Sequence, residues 1–124
     1  MKDFRQLIVW QRAHELVLAT YRISAKFPKG EKFGLTSQVR RCCISIPANL
    51  AEGCGRRGNG EFHRFLQVAS GSASELEYHF LLVKDLGFLS AEEYSTLARS
   101  LALVRKMLSA LISKVEEARL KSAD

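Results

Sequence analysis

The sequence predicts an all-α fold, an antiparallel up-and-down four-helix bundle. Four long segments carry apolar residues spaced three and four positions apart, the pattern of amphipathic helices. Only two prolines occur in 124 residues, and half of the eight glycines lie in one break between two segments. Because the breaks are short, consecutive helices must run antiparallel. We predict one domain over residues 1–124, with helices at about 5–25, 35–52, 60–86 and 91–119.

The first helix carries two apolar stripes. The first stripe steps by threes and fours through Val9, Ala13, Leu16, Thr20, Ile23 and Phe27. Trp10, Val17 and Tyr21 form a second stripe beside it, and Asp3 is a candidate N-cap. A face this wide either packs against two neighbouring helices or contacts another copy of the chain. We therefore take Trp10, Val17 and Tyr21 as the candidate oligomer interface.

The two middle helices each contain an unusual feature. Pro47 lies within the second helix and should bend it or shift it locally, although the apolar spacing continues to Leu50. In the third helix, which Asn59 is placed to cap, the run Ala69–Ser74 consists of six small residues. Such a run allows the backbone of another helix, or of another subunit, to come close.

The fourth helix has the most regular pattern in the chain. Gly87 is placed to end the third helix, and Ser90 with Glu93 forms a capping box for the fourth. The apolar residues then alternate steps of three and four: Tyr94, Leu97, Leu101, Val104, Leu108, Leu111, Val115 and Ala118. This period of about 3.5 residues is typical of helices packed in bundles.

The excess of positive over negative charge lies entirely in the first half of the chain. The formal net charge is +6, and residues 1–64 carry 12 Lys and Arg against 5 Asp and Glu. Such asymmetry favours a polyanionic partner, RNA or DNA.

The sequence also indicates a cytoplasmic location. No apolar run approaches the length of about 20 residues that a membrane helix needs, and the N-terminus has no signal-peptide pattern. The three cysteines are an odd number, and the neighbours Cys42 and Cys43 point in different directions on a helix. We expect buried thiols in a reducing compartment and no membrane partner.

Seven basic residues are the candidate nucleic-acid contacts: Lys29, Lys32, Arg40, Arg41, Arg56, Arg57 and Arg64. We expect the arginines to gather, with His63, around the glycine-rich break, and the lysines to lie at the preceding break. Consecutive breaks sit at opposite ends of an antiparallel bundle, so two basic ends are predicted. Guanidinium groups and backbone donors of the Gly-Arg-Arg-Gly loop could bind phosphates together. The alternative is that these arginines pair with Glu52 or Glu61.

A set of polar residues is predicted to form a structural network inside the bundle: Gln38, Ser45, Asn49, Glu52 and Glu75. The first four step along the second helix at intervals of seven, four and three, and Glu75 could face them from the third helix. We interpret them as a hydrogen-bonded network that sets helix register rather than as a ligand pocket.

The sequence predicts no catalytic residues, no metal site and no cofactor. Di-iron bundles need Glu-x-x-His on two helices, whereas Glu75 and His79 are four residues apart and occur once. Cys54 and His63 are separated by a glycine-rich loop that does not hold them in a defined geometry. No phosphate-binding glycine motif follows a strand.

Three strings point to a known family: Leu7–Ala13, Phe33–Arg41 and Ser45–Gly53. In this order and spacing they resemble the bacterial "four helix bundle protein" family, whose founding members are encoded in intervening sequences of 23S rRNA genes. The resemblance covers Phe4 to about Leu111. The family is similar in fold to accessory proteins of diversity-generating retroelements, which form basic homopentameric rings and bind reverse transcriptase and nucleic acid.

The resemblance and the charge together imply a non-enzymatic, basic homo-oligomer, with a ring-like pentamer favoured, that binds RNA or DNA through phosphates. The alternative is a protein–protein scaffold or adaptor, for example for a reverse transcriptase or another enzyme, without affinity of its own for nucleic acid. The aromatic residues fall mostly on apolar stripes, which argues against recognition of bases by stacking.

Overall fold

Four α-helices follow one another through residues 2–122, the part of the chain that the computed structural model describes. They are α1 (Ile8–Ser24), α2 (Leu35–Cys54), α3 (Gly58–Asp85) and α4 (Ala91–Ser122). Two single turns of 3-10 helix, Phe4–Gln6 and Lys29–Glu31, precede α1 and α2. Each helix packs against the next, and α1 also packs against α4, so the four close into a bundle. The predicted all-α four-helix fold is confirmed.

The predicted apolar stripes form the core between the helices. The largest side chains that are fully buried come from all four helices and include Leu16, Ile46, Leu50, Phe80, Leu101 and Leu108. Burying one such side chain stabilises the fold by about 1.5–3 kcal/mol relative to leaving it in water. The α2 stripe continues through Pro47, which is itself buried, and the helix does not end there.

Two helix starts differ from the prediction. Asp3 caps the short Phe4–Gln6 turn, where its carboxylate accepts a hydrogen bond from the Arg5 amide at 3.0 Å, and α1 begins only at Ile8 because Leu7 is extended. The prediction that Asn59 caps the third helix is wrong. Helix α3 begins at Gly58, whose φ of +79° is open to glycine, and Asn59 therefore lies within its first turn.

The turn between α3 and α4 contains both predicted caps. Gly87 has a φ of +80°, and the amide of Phe88 reaches back to the carbonyl of Val83 at 2.9 Å, which closes α3. The Ser90 hydroxyl accepts from the amide of Glu93 at 3.0 Å, and the Glu93 carboxylate accepts from the amide of Ser90 at 3.0 Å. This reciprocal pair is the predicted capping box.

The connections lie at two opposite ends of the bundle. At one, which we call the Phe27 end, the rings of Phe27 and Phe88 are 5.9 Å apart, and Lys26 forms an ion pair with Glu93. The α1–α2 and α3–α4 connections therefore meet there. At the other, the Cys54 end, the amide of Lys2 donates to the carbonyl of Cys54 at 3.1 Å. The N-terminal segment thus covers the α2–α3 connection.

Small residues allow α2 and α3 to pack closely. Ala69 and Ala73 are fully buried on the inner side of α3. Gly53 of α2 is also buried, and a Cβ atom placed on it would lie 3.0 Å from atoms of both Phe62 and Phe65. Gly71 differs, since it faces outward and a Cβ there would meet nothing within 4 Å. Within the run Ala69–Ser74, the two buried alanines thus pack inside the bundle, whereas Gly71 on the outer side has open space around it.

Replacing Gly53 and Gly71 by alanine should have opposite effects on stability. Gly71→Ala should raise the free energy of unfolding by about 0.5–1 kcal/mol, because alanine is the better helix former and the site is open. Gly53→Ala should lower it by about 1–3 kcal/mol, because the added methyl overpacks the contact with the two phenylalanines. Urea denaturation of both variants tests this, and equal effects at the two positions would contradict the proposed close packing at Gly53.

Candidate nucleic-acid interface

A surface pocket of about 350 Å³ opens at the Phe27 end of the bundle, where α1 gives way to α2. It is lined by Ser24, Ala25, Phe27, Pro28, Lys29, Lys32, Thr36 and Arg40. Three of these residues are cationic and none is acidic. The pocket therefore combines the charge of an anion site with a lining that is mostly apolar.

The first turn of α2 forms one wall of this pocket. The amides at the start of a helix point outward and carry partial positive charge. The Glu31 carboxylate accepts from one of them, the amide of Leu35, at 3.1 Å. Thr36 follows, and its side chain is buried, yet its hydroxyl has no hydrogen-bond partner within the described residues. A buried hydroxyl normally has a partner, and this one can reach a ligand in the pocket only if the Thr36 side chain rotates.

Arg40 is held against the pocket by contacts within the chain. Its Nε donates to the Ser24 hydroxyl at 2.8 Å, and one terminal nitrogen donates to the carbonyl of Tyr21 at 3.4 Å. The guanidinium carbon also lies 4.4 Å from the centre of the Tyr21 ring, in cation–π contact. These contacts use two of the guanidinium nitrogens and orient the Arg40 side chain in the absence of a ligand.

Lys29 and Lys32 form no ion pair with any described residue, and their side chains are exposed. The Lys32 ammonium lies 5.4 Å from the ring centre of Phe33, which is 91% exposed. Lys26 is different, because Glu93 neutralises it. On α2, Arg41 is exposed and forms no ion pair with residues 2–122. Lys29, Lys32, Arg40 and Arg41 thus form one group of unpaired cations around the pocket and the first turns of α2.

The arginines of the Cys54 end are mostly paired. Arg56 contacts Glu52 at 3.1 Å and Arg64 contacts Glu61 at 3.2 Å, as the alternative interpretation of this loop expected. The hydrogen bond from Arg64 lowers the pKa of the Glu61 carboxyl. Of Arg56, Arg57 and Arg64, only Arg57 has no ionic partner among the described residues. His63 is likewise engaged, with its Nε2 at 2.7 Å from the Glu116 carboxylate.

The expected grouping of the arginines needs correction. Arg40 and Arg41 lie near the start of α2, and Arg56 follows its end, which puts them roughly 24 Å apart at 1.5 Å per residue. Arg40 lies with Lys29 and Lys32 instead of with the glycine-rich loop. Sequence order suggested one arginine cluster, but the length of α2 separates it into two.

Part of the predicted polar network lies along the groove between α2 and α3. The hydroxyls of Ser45 and Ser72 are 2.7 Å apart, and the Asn49 amide donates to the carbonyl of Ser45 at 2.7 Å. Ser72 was not predicted, because it lies within a run interpreted as a packing surface. Glu52 pairs with Arg56 outside this network. The side chain of Gln38 is exposed and makes no hydrogen bond with the described residues.

Glu75 also belongs to this groove but has different partners. Its carboxylate lies 3.0 Å from Nε2 of His79, one turn further along α3. Across the groove is Cys42, whose thiol donates to the carbonyl of Ser72 at 3.1 Å. Burial, and after it the charge of the Glu75 carboxylate, raises the pKa of the Cys42 thiol to about 12. Burial raises the pKa of the Cys43 thiol to about 11.

The predicted interface residues of α1 have partners inside their own chain. The Trp10 ring stacks on His14 at 5.0 Å and contacts the edge of Phe4 at 4.9 Å, and Val17 packs against the core. Tyr21 is 39% exposed and carries Arg40 on one face. The second stripe of α1 therefore contributes to the packing of its own bundle.

Comparison with known proteins identifies the family. A family model described as "23S rRNA-intervening sequence protein" matches residues 5–110. The chain belongs to this family. A solved structure from Bacteroides thetaiotaomicron, described as a protein of unknown function from the S23 ribosomal protein family, is similar in fold, with a TM-score of 0.79 at 22% identity. The alignment covers 86% of this chain and 96% of that one. No curated protein sequence matches.

Membership in the 23S rRNA-intervening sequence family agrees with the four-helix fold, and the family is one of unknown function. Among residues 2–122 of this family member, no helix combines the length and the apolarity that crossing a lipid bilayer requires.

The thiols of the native protein should be almost inert to alkylation. At pH 8 a thiol with a pKa of about 12 has a thiolate fraction about three orders of magnitude below that of one at the ordinary value of 9.0. We expect iodoacetamide to modify the three cysteines rapidly in urea and hardly at all in the native state. Mass spectrometry after timed quenching checks this. Rapid modification of Cys42 in the folded protein would contradict its burial.

Proposed function

We propose that this protein is a non-enzymatic nucleic-acid-binding bundle that holds a backbone phosphate of RNA or DNA in the pocket at the Phe27 end. The observation that carries this proposal is the combination of Lys29, Lys32 and Arg40 around one opening, with the unpartnered hydroxyl of Thr36 and the start of α2 at its wall. Cations and helix N-terminal amides together form a favourable site for phosphate.

The pairing state of the cations favours this end over the glycine-rich loop. A phosphate that approaches Lys29 or Lys32 does not have to displace a carboxylate. At Arg56 or Arg64 it must compete with Glu52 or Glu61. Exposed ion pairs are worth only about 0–1 kcal/mol, so these arginines, with Arg57 and Arg41, can add weaker contacts along a long polyanion. We therefore assign the strongest contact to the pocket.

The family name and the charge support the same partner class. The family is described by its connection with intervening sequences of 23S rRNA, and the net charge is +6. Aromatic side chains do lie beside the pocket cations, Phe33 next to Lys32 and Tyr21 next to Arg40, but stacking on an aromatic ring tolerates every base. A surface of this kind binds the sugar–phosphate backbone and distinguishes bases poorly.

Catalysis is disfavoured by the chemistry of the one nucleophile that has a histidine nearby. Cys42 lies beside His79 and Glu75, but it is buried, and its thiol stays protonated at neutral pH because its pKa is about 12. A cysteine nucleophile needs a lowered pKa and access to substrate. We therefore propose that this protein binds a partner rather than catalyses a reaction.

Removing the pocket lysines should weaken binding and its salt dependence. For Lys29→Ala/Lys32→Ala, the slope of log affinity against log salt should become shallower by about 1.4–1.8, since each lost phosphate contact accounts for about 0.7–0.9. Arg56→Ala/Arg57→Ala removes the same charge and should change the slope less. Fluorescence anisotropy with labelled structured RNA and duplex DNA measures both.

The matched control is Arg99→Ala/Lys106→Ala, which makes the same charge change at two exposed positions within α4. If all three double variants behave alike, net charge alone drives binding and the pocket has no special role. A larger effect at Arg56 and Arg57 would move the site to the glycine-rich loop. No binding of wild-type protein at low salt would exclude the nucleic-acid proposal and favour the scaffold.

A second surface supports self-association, on which a scaffold function would also depend. The outer side of α3 exposes the apolar residues Val68, Tyr78 and Leu81, and the open Gly71 lies between them. Such a stripe with a small residue in it allows another helix to pack closely. We propose that copies of the chain associate through this outer α3 stripe, in the ring-like pentamer that the family resemblance implies.

The outer α3 stripe can be tested against the predicted α1 interface. Light scattering should give wild-type protein a mass about five times the 13.9 kDa of one chain. Val68→Glu/Tyr78→Glu should reduce it to one chain, because two charges would be buried at the contact. Tyr21→Glu, at the most exposed position of the predicted α1 interface, should leave the assembly intact. Dissociation by the α1 variant alone would return the interface to α1, and a monomeric wild type would exclude both.

A further inference from the structure

Three side chains of different chemistry meet across the groove between α2 and α3. Cys42 comes from α2, and Glu75 and His79 come from successive turns of α3. One potential ligand atom from each, the thiol sulfur, a carboxylate oxygen and a ring nitrogen, lies within 4.8 Å of the other two. We propose that Cys42, Glu75 and His79 form a Zn²⁺ site.

The donor set matches zinc better than other common ions. A thiolate, an imidazole and a carboxylate are the three protein ligands that Zn²⁺ takes, whereas Mg²⁺ and Ca²⁺ prefer oxygen alone. Metal binding releases the Cys42 thiol proton to solvent, and the resulting thiolate and the Glu75 carboxylate carry two negative charges, which one Zn²⁺ neutralises beside the core. Three protein ligands leave one position for water in a tetrahedral site.

The geometry needs only a small closure around the ion. Bond lengths of about 2.0–2.3 Å to zinc place neighbouring ligand atoms about 3.3–3.6 Å apart in a tetrahedron. The Nε2 atom of His79 and the Glu75 carboxylate are already 3.0 Å apart. Cys42 and His79 are 7% and 6% exposed and held by the core, but the Glu75 side chain is 64% exposed and can turn toward the ion. Its exposed side is also the route by which an ion enters.

The environment of His79 places Nε2, rather than Nδ1, at the proposed site. The ring is buried, and among the described residues Nε2 lies 3.0 Å from the carboxylate of Glu75, itself a potential ligand, whereas Nδ1 has no hydrogen-bond partner. A zinc ion bound to both side chains would take the place of this contact.

Metal binding is measured first on metal-free protein. We expect one Zn²⁺ per chain, a rise in melting temperature with added Zn²⁺, and, with Co²⁺ as the probe, the near-ultraviolet charge-transfer band of a thiolate–cobalt bond. Cys42→Ser, Glu75→Gln and His79→Gln should each weaken Zn²⁺ binding by about 100-fold or more, since loss of even an outer partner of a metal ligand costs about 10–100-fold. Cys42→Ser should also abolish the cobalt band.

The matched controls are Cys43→Ser and Glu77→Gln. Cys43 is the adjacent buried thiol, and the carboxylate of Glu77 on α3 pairs with Arg105 of α4. Both should bind Zn²⁺ like wild type. Circular dichroism checks that each variant folds, and Glu75→Gln, at an exposed side chain, tests the site even if the core variants unfold. Absence of bound Zn²⁺ in the wild type, or equal loss in the Cys42 and Cys43 variants, would overturn the proposal.

Discussion

The close approach of α2 and α3 determines where most of the chemistry of this protein lies. It depends on small residues at the contact, Gly53 on α2 and Ala69 and Ala73 on α3, which leave room for the opposite helix. At this distance short polar side chains reach across the groove, and the hydroxyls of Ser45 and Ser72 come within 2.7 Å. With bulkier residues at the contact, these side chains would face water separately.

Helix α2 serves two surfaces because of its periodicity. Arg40 and Cys42 are two residues apart, and a helix turns about 100° per residue, so their side chains point roughly 200° apart. Arg40 lies at the phosphate pocket beside α1, and Cys42 lies in the groove beside α3. The proposed anion and cation sites therefore share one rigid helix without competing for the same space.

Charge pairing decides which cations are available to a partner. The first half of the chain has a large positive excess, but several of its cations are engaged by carboxylates, such as Lys26 by Glu93 and Arg56 by Glu52. Lys29 and Lys32 are among the cations without an ion pair, and they flank the pocket beside the first turn of α2, where Glu31 already accepts from the amide of Leu35. A count of charges along the chain cannot distinguish these two groups, because pairing depends on which side chains the fold brings together.

The sequence by itself determined the four helices, their antiparallel order, the core stripes and the caps at Gly87 and Ser90, because these depend on contacts within a few residues and on a regular apolar period. The start of α3 was missed because the positive φ of Gly58 is a local conformation without a unique sequence signal. Only the tertiary structure decided that Arg40 joins the lysines and that Cys42 meets Glu75 and His79. Those contacts join residues eight or more positions apart, and the direction in which each side chain points from its helix is set by packing, which spacing along one helix does not reveal.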